Sequence, residues 1–168
     1  LALAPAIFDR IERDFECGYS PDDVALARGF IPRFDMEACL RDVAAARDRV
    51  AEAGKVGIVG FCLGGSVAYA AAARLPGLSG ASSFYGGMVN KLAQQPPGCP
   101  VQFHYGADDT GIPPENYEAV RAALPQAEFH VYENAGHGFN CDQRASYAPE
   151  AAALAWSRTL DFLSRTVG

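Results

Sequence analysis

Apolar positions along the chain recur with two alternating periods, one of strands and one of helices. Val56, Ile58 and Val59 form a short β-branched run, and the alanine-rich stretch after it reads as a helix to about Arg74, ending before Pro76 and Gly77. Upstream, Met36, Leu40, Val43 and Val50 fall near one helical face while Glu37, Arg41, Asp48 and Glu52 lie on others; Asp35 is the natural N-cap and Gly54 the stop. Downstream, residues 81–85 and 100–105 read as buried strands ending in Gly86-Gly87 and Gly106, with a polar, proline-rich loop over 94–98 between them. A helix over about 114–124 follows, then a strand over 128–133 with period-two alternation. A last helix over about 147–165 carries Leu154, Trp156, Leu160 and Leu163. Ahead of all these, residues 1–8 read as the end of a strand broken at Pro5, and 21–28 as a short helix capped by Ser20. Strands alternating with helices predict an α/β fold with a largely parallel sheet flanked by helices.

Composition narrows this picture. At 168 residues and 49% apolar, the chain suits one domain with a sizeable core. Fourteen basic against twenty acidic residues leave a net charge of −6, with no lysine or arginine run to hold nucleic acid or an anionic membrane. No apolar stretch reaches the length of a membrane span. Five cysteines, an odd number without C-x-x-C spacing, point to reduced thiols in a cytoplasmic protein rather than to a disulfide framework or a zinc site. The chain opens on Leu1 rather than methionine, within what reads as a strand, which points to a fragment or a processed product.

The chemistry concentrates around KVGIVGFCLGGS, residues 55–66. Gly60, Gly64 and Gly65 surround Cys62 with residues lacking a Cβ, as a tight strand-to-helix turn requires when its central side chain is pushed outward. The pattern G-x-C-x-G puts cysteine where serine hydrolases carry the nucleophile of a G-x-S-x-G elbow. A dinucleotide fingerprint would want glycine at Cys62, and a phosphate-binding P-loop would want lysine at Ser66. In parallel sheets reactive groups collect just past the carboxyl ends of strands. Cys62 follows the first such strand; GADDTGIP, with Asp108 and Asp109, follows the strand at 100–105; NAGHGFN, with His137, follows the strand at 128–133. A helix N-terminus favours the Cys62 thiolate, His137 takes its proton, and an aspartate orients the imidazole. The backbone N–H of Leu63 supplies an oxyanion donor. His104 and His130, inside strands, read as satisfied or surface histidines, and Cys17, Cys39, Cys99 and Cys141 as structural or incidental.

In this order and spacing, GFCLGGS, YGADDTGIP and AGHGFNCDQRASY, with FDMEACLRDV before them and RTLDFL near the end, resemble the dienelactone hydrolase family across nearly the whole chain. The resemblance implies an α/β-hydrolase fold and cleavage of a small ester or lactone, of the carboxymethylenebutenolidase type, through a thioester and without a cofactor or metal. It makes Cys62 the nucleophile, His137 the base and Asp109, rather than Asp108, the acid. It places Arg10 and Tyr85 at the substrate. Ala6 stands where the family usually has aspartate, and Asn140 and Cys141 stand where well-known members have a second substrate-binding arginine. The family also has strands ahead of the position of Leu1, carrying a second oxyanion donor and a glutamate that controls the nucleophile. The chain therefore reads as the C-terminal part of such a hydrolase, with an exposed sheet edge open to self-association. Two other readings remain: a non-catalytic module that binds through that edge, and a thiol redox protein using Cys62.

Overall fold

The computed structural model describes residues 1–168. Four parallel strands, β1 (Val56–Phe61), β2 (Leu78–Phe84), β3 (Val101–Gly106) and β4 (Glu128–Tyr132), lie side by side in chain order. Helices α1 (Pro21–Arg28), α2 (Met36–Ala51), α3 (Leu63–Arg74), α4 (Val89–Leu92), α5 (Pro114–Ala123) and α6 (Pro149–Thr166) surround them. No helix is long and apolar enough to cross a membrane. Residues 1–6 form no strand, contrary to the sequence expectation, because the free edge of β1 takes no backbone hydrogen bonds from them. The strand expected at 81–85 begins earlier, at Leu78, where pairing with β1 recruits a Leu-Ser-Gly stretch of little intrinsic strand character. The last helix starts at Pro149, two residues later than its apolar pattern suggested, with proline at the first helical position.

Side-chain alternation splits the sheet into two faces. On one, Val56 packs with Leu40 and Val43 of α2 and with Val67 and Ala71 of α3, and Phe103 and Tyr105 pack with Tyr69 of α3 and Tyr117 of α5. On the other, Gly57 and Gly80 let the end of α6 sit directly on the strands, where a Cβ would meet Leu163, Val167 and Thr166 at under 3 Å. Ser20 and Asp35 cap α1 and α2 as their sequences indicate, Ser20 through a reciprocal capping box with Asp23.

The α6 face carries a buried polar seam. His104 is fully enclosed, with Nδ1 2.8 Å from Tyr132 Oη and Nε2 2.8 Å from Gln102 Oε1, and its ring stacks on Phe84 at 4.2 Å. Tyr132 donating to Nδ1 and Nε2–H donating to Gln102 use one acceptor and one donor, which is the neutral imidazole. Burial pushes the His104 pKa down to about 3, with His130 and Arg158 adding repulsion. Unfolding restores an ordinary histidine that binds a proton below about pH 6.5.

The turn from β1 to α3 rests on glycine for want of space. A Cβ on Gly60 would lie 1.9 Å from the Gly64 carbonyl oxygen, and one on Gly65 would lie 2.5 Å from the Phe84 oxygen. Gly64, the second glycine of the G-x-C-x-G pattern, has nothing within 4 Å of such an atom. Gly60→Ala and Gly65→Ala are therefore expected to lower the thermal midpoint steeply, whereas Gly64→Ala melts at or above the wild type. Stability measured by urea unfolding should fall as pH drops from about 6.5 toward 3, by about 1.4 kcal/mol per pH unit for His104 alone. His104→Gln should remove that slope.

Candidate active site

Three loops past the carboxyl ends of β1, β3 and β4 bring Cys62, Asp109 and His137 together. Cys62 occupies the turn itself, with φ 55° and ψ −116°, a strained conformation for a side-chain-bearing residue costing on the order of 1–3 kcal/mol. Its N–H donates to the Phe84 carbonyl at 3.0 Å and its carbonyl accepts from Ser66 N–H at 3.2 Å, so both neighbouring elements hold the turn. Ser83 Oγ donates to the Gly65 carbonyl at 2.9 Å, tying the start of α3 to β2 a second time.

The loops bearing Asp109 and His137 are joined with equal closeness. A Cβ on Gly106 would lie 2.1 Å from the Ala135 oxygen, and Asp108 N–H donates to that same carbonyl at 3.0 Å. The Asp109 side chain has no solvent exposure; Oδ1 accepts from the N–H groups of Gly111 and Ile112, and Oδ2 lies 2.7 Å from His137 Nδ1. On the far side of the ring, His137 Nε2 lies 3.1 Å from Cys62 Sγ. Ser146 Oγ donates to the His137 carbonyl at 2.8 Å and fixes the loop. Asp108 is exposed and makes no contact with the imidazole.

The electrostatics follow from these bonds. The hydrogen bond to Asp109, helped by Cys62, raises the His137 pKa to about 9 against the opposing effect of burial. Burial pushes the Cys62 thiol up, but the hydrogen bond and charge of His137, the Leu63 N–H and the Arg144 cation together bring it below its ordinary value. The pair therefore favours thiolate and imidazolium sharing one proton. Leu63 N–H, at the first position of α3, faces the sulfur.

Of the other residues singled out in the sequence, Tyr85 is at the site and Arg10 is not. Tyr85, at φ 38°, packs its ring 5.2 Å from that of His137 and 5.4 Å from Phe139. Arg10 donates from Nε and Nη2 to both carboxylate oxygens of Asp42 on α2, each at 2.7 Å. It lines a separate recess of about 360 Å3 with Asp9, Arg13 and Asp42. The cation present at the site is Arg144, half-buried, with its guanidinium lying against Gly138. No local pattern marked it; only folding of the loop after His137 brings it there. Cys62, Tyr85, His137 and Arg144 stand on the wall of a cavity of about 1000 Å3, which runs on along the free edge of β1 between apolar residues such as Val43, Val50 and Val56.

Comparison with known proteins gives one consistent answer. The sequence model of the dienelactone hydrolase family matches residues 1–167. A candidate carboxymethylenebutenolidase of Synechocystis is 33% identical over 94% of this chain and 72% of its own length. The carboxymethylenebutenolidase of Pseudomonas putida is 38% identical over 78% of this chain, and the match spans 59% of that enzyme. Among solved structures, a candidate dienelactone hydrolase from Klebsiella pneumoniae superposes with a TM-score of 0.78 at 31% identity, over 84% of this chain and 67% of that one. The α/β-hydrolase architecture, the ordered motifs and these likenesses agree: the chain belongs to the dienelactone hydrolase family.

Proposed function

We propose that the chain hydrolyses a small ester or lactone with Cys62 as nucleophile. The observation that carries this reading is the unbroken line Asp109–His137–Cys62, at 2.7 and 3.1 Å, opening onto the large cavity. The thiolate attacks the substrate carbonyl, and the oxygen that becomes negative accepts from Leu63 N–H. His137, already protonated, gives its proton to the departing alkoxide, which in a lactone stays tethered to the acyl group. The product is a thioester on Cys62. Neutral His137 then takes a proton from water, the hydroxide adds to the thioester, and collapse returns the thiolate and imidazolium. Asp109, held by two backbone N–H groups, keeps the Nδ1 proton in place and stabilises the imidazolium in both steps. Arg144 beside the nucleophile favours substrates with a negative group close to the scissile bond, and Tyr85 forms part of the wall they meet.

The free edge of β1 supports a second reading, association with another polypeptide by strand addition. Sedimentation over a range of concentrations tests it, and a monomer throughout would remove it.

Hydrolysis of an activated aryl ester should fall about a thousandfold or more in Cys62→Ala and His137→Ala, and by about a hundredfold or more in Asp109→Asn. Equal rates in wild type and all three variants would sink the hydrolase reading. Alkylation of Cys62 by iodoacetamide should proceed below the pH at which an ordinary thiol ionises, and its pH midpoint should rise in His137→Ala. Turnover of substrates with a poor leaving group should decline above about pH 9, where His137 loses the proton it donates.

A further inference from the structure

The turn that leaves β2 touches both Cys62 and His137. Cys62 N–H donates to the carbonyl of Phe84, the last residue of β2, at 3.0 Å. The next residue, Tyr85, lays its ring 5.2 Å from that of His137. Tyr85 holds this place at a backbone φ of 38°, a conformation that a side-chain-bearing residue keeps only when its surroundings impose it. Two hydrogen bonds do so. Tyr85 N–H donates to the His104 carbonyl of β3 at 2.8 Å, and three residues on, Met88 N–H donates to Ser66 Oγ of α3 at 3.1 Å. Between these anchors the chain is drawn so close to α3 that a Cβ on Gly86 would lie 2.9 Å from the carbonyl carbon of Gly65 and from the nitrogen of Ser66.

We propose that Ser66 is a positioning residue for the Cys62–His137 pair: its hydroxyl holds the turn after β2 against α3 and so keeps the Tyr85 ring on the imidazole. This rests on Cys62 and His137 being the reacting pair of the reading above. A serine inside a helix ordinarily turns its oxygen to solvent or to its own backbone. Ser66 is buried, and its oxygen accepts from another element. The rest of α3 is largely alanine, which at position 66 would also suit the helix better than serine does. The hydroxyl therefore serves the contact with the turn, not the helix.

Loss of that bond has a traceable path to the sulfur. Met88 is exposed, so its N–H, once released, turns to water and takes the turn with it. Tyr85 then has no cause to keep its positive φ, and His137 loses its aromatic wall while its bond to Asp109 remains. The ring swings about that bond, and the 3.1 Å contact between Nε2 and Cys62 Sγ lengthens. Without the imidazole the thiolate keeps only Leu63 N–H and Arg144 to offset its burial, so the thiol becomes harder to ionise.

The test measures two quantities, the pH midpoint of Cys62 alkylation by iodoacetamide and the kcat and KM for an activated aryl ester. The variants are Ser66→Ala, Ser66→Thr, Met88→Pro, Tyr85→Leu and the double variant Ser66→Ala/Tyr85→Leu. Met88→Pro deletes the same bond from its donor side, at an exposed position, and keeps the proposal testable if Ser66→Ala fails to fold. Ser66→Ala and Met88→Pro should each raise the alkylation midpoint and lower kcat about tenfold with KM within about twofold, the effect of one hydrogen bond. Ser66→Thr, which keeps the hydroxyl, should return both values toward wild type. The double variant should match Tyr85→Leu alone, because Ser66 acts through that ring. A wild-type midpoint in folded Ser66→Ala and Met88→Pro, or shifts that add in the double variant, would overturn the proposal. Alkylation needs no turnover, so a wild type inactive toward the ester would count against the hydrolase reading alone.

Discussion

The carbonyl oxygen of Gly64 occupies the space into which any Cβ at position 60 would project, and the rest of the site depends on that contact. Because β1 and α3 meet this closely, the chain has no gentler way from one to the other than through Cys62 at φ 55°. The strain is held by bonds on both sides, from Cys62 N–H to β2 and from Ser66 N–H back to the Cys62 carbonyl. Packing of α3 against β1 and β2 therefore works to present one side chain outward at the tip of a helix. The outward position of Cys62 is a product of core packing as much as of the turn that carries it.

Charge is organised around that point in a graded way. Asp109 is enclosed and fully engaged, His137 is half-buried between it and the sulfur, and Cys62 opens to solvent. Enclosure makes the Asp109–His137 bond strong enough to overcome the cost of burying an imidazolium, and the imidazolium in turn overcomes the cost of a partly enclosed thiolate. On the opposite face of the sheet, His104 shows the contrary case. With neutral partners only, burial there wins and the ring stays uncharged.

How much of this could be seen in the sequence depended on whether the determinant was local. Cys62, the Asp108-Asp109 pair and His137 each follow a strand end, so strand pattern and chain order were enough to group them, while the choice of Asp109 came from the family resemblance. The boundaries of β3 and α1 were likewise set by neighbours in sequence. Residues 1–6 have strand-like composition but no neighbouring strand to pair with, and a strand is defined by its partner. Arg10, placed at the substrate by the resemblance, pairs instead with Asp42, a contact across 32 positions that no motif records. Arg144 lay near the His137 loop in sequence but could be given no role there, since a polar loop residue gains meaning only from the surface it folds against. Among the glycines, the motif marked Gly60 and Gly64 alike, whereas the tight contacts fall on Gly60 and Gly65.

The contact between Gly106 and Ala135 has a mechanical consequence. With those backbones touching, and Asp108 N–H bonded to the Ala135 carbonyl, the loops bearing Asp109 and His137 form one stiff body. Cys62 rides on another, the β1–α3 junction. Thermal breathing of the molecule will then vary the distance between sulfur and imidazole far more than that between imidazole and carboxylate. The softest coordinate of the site is the gap between the Cys62 sulfur and the His137 ring.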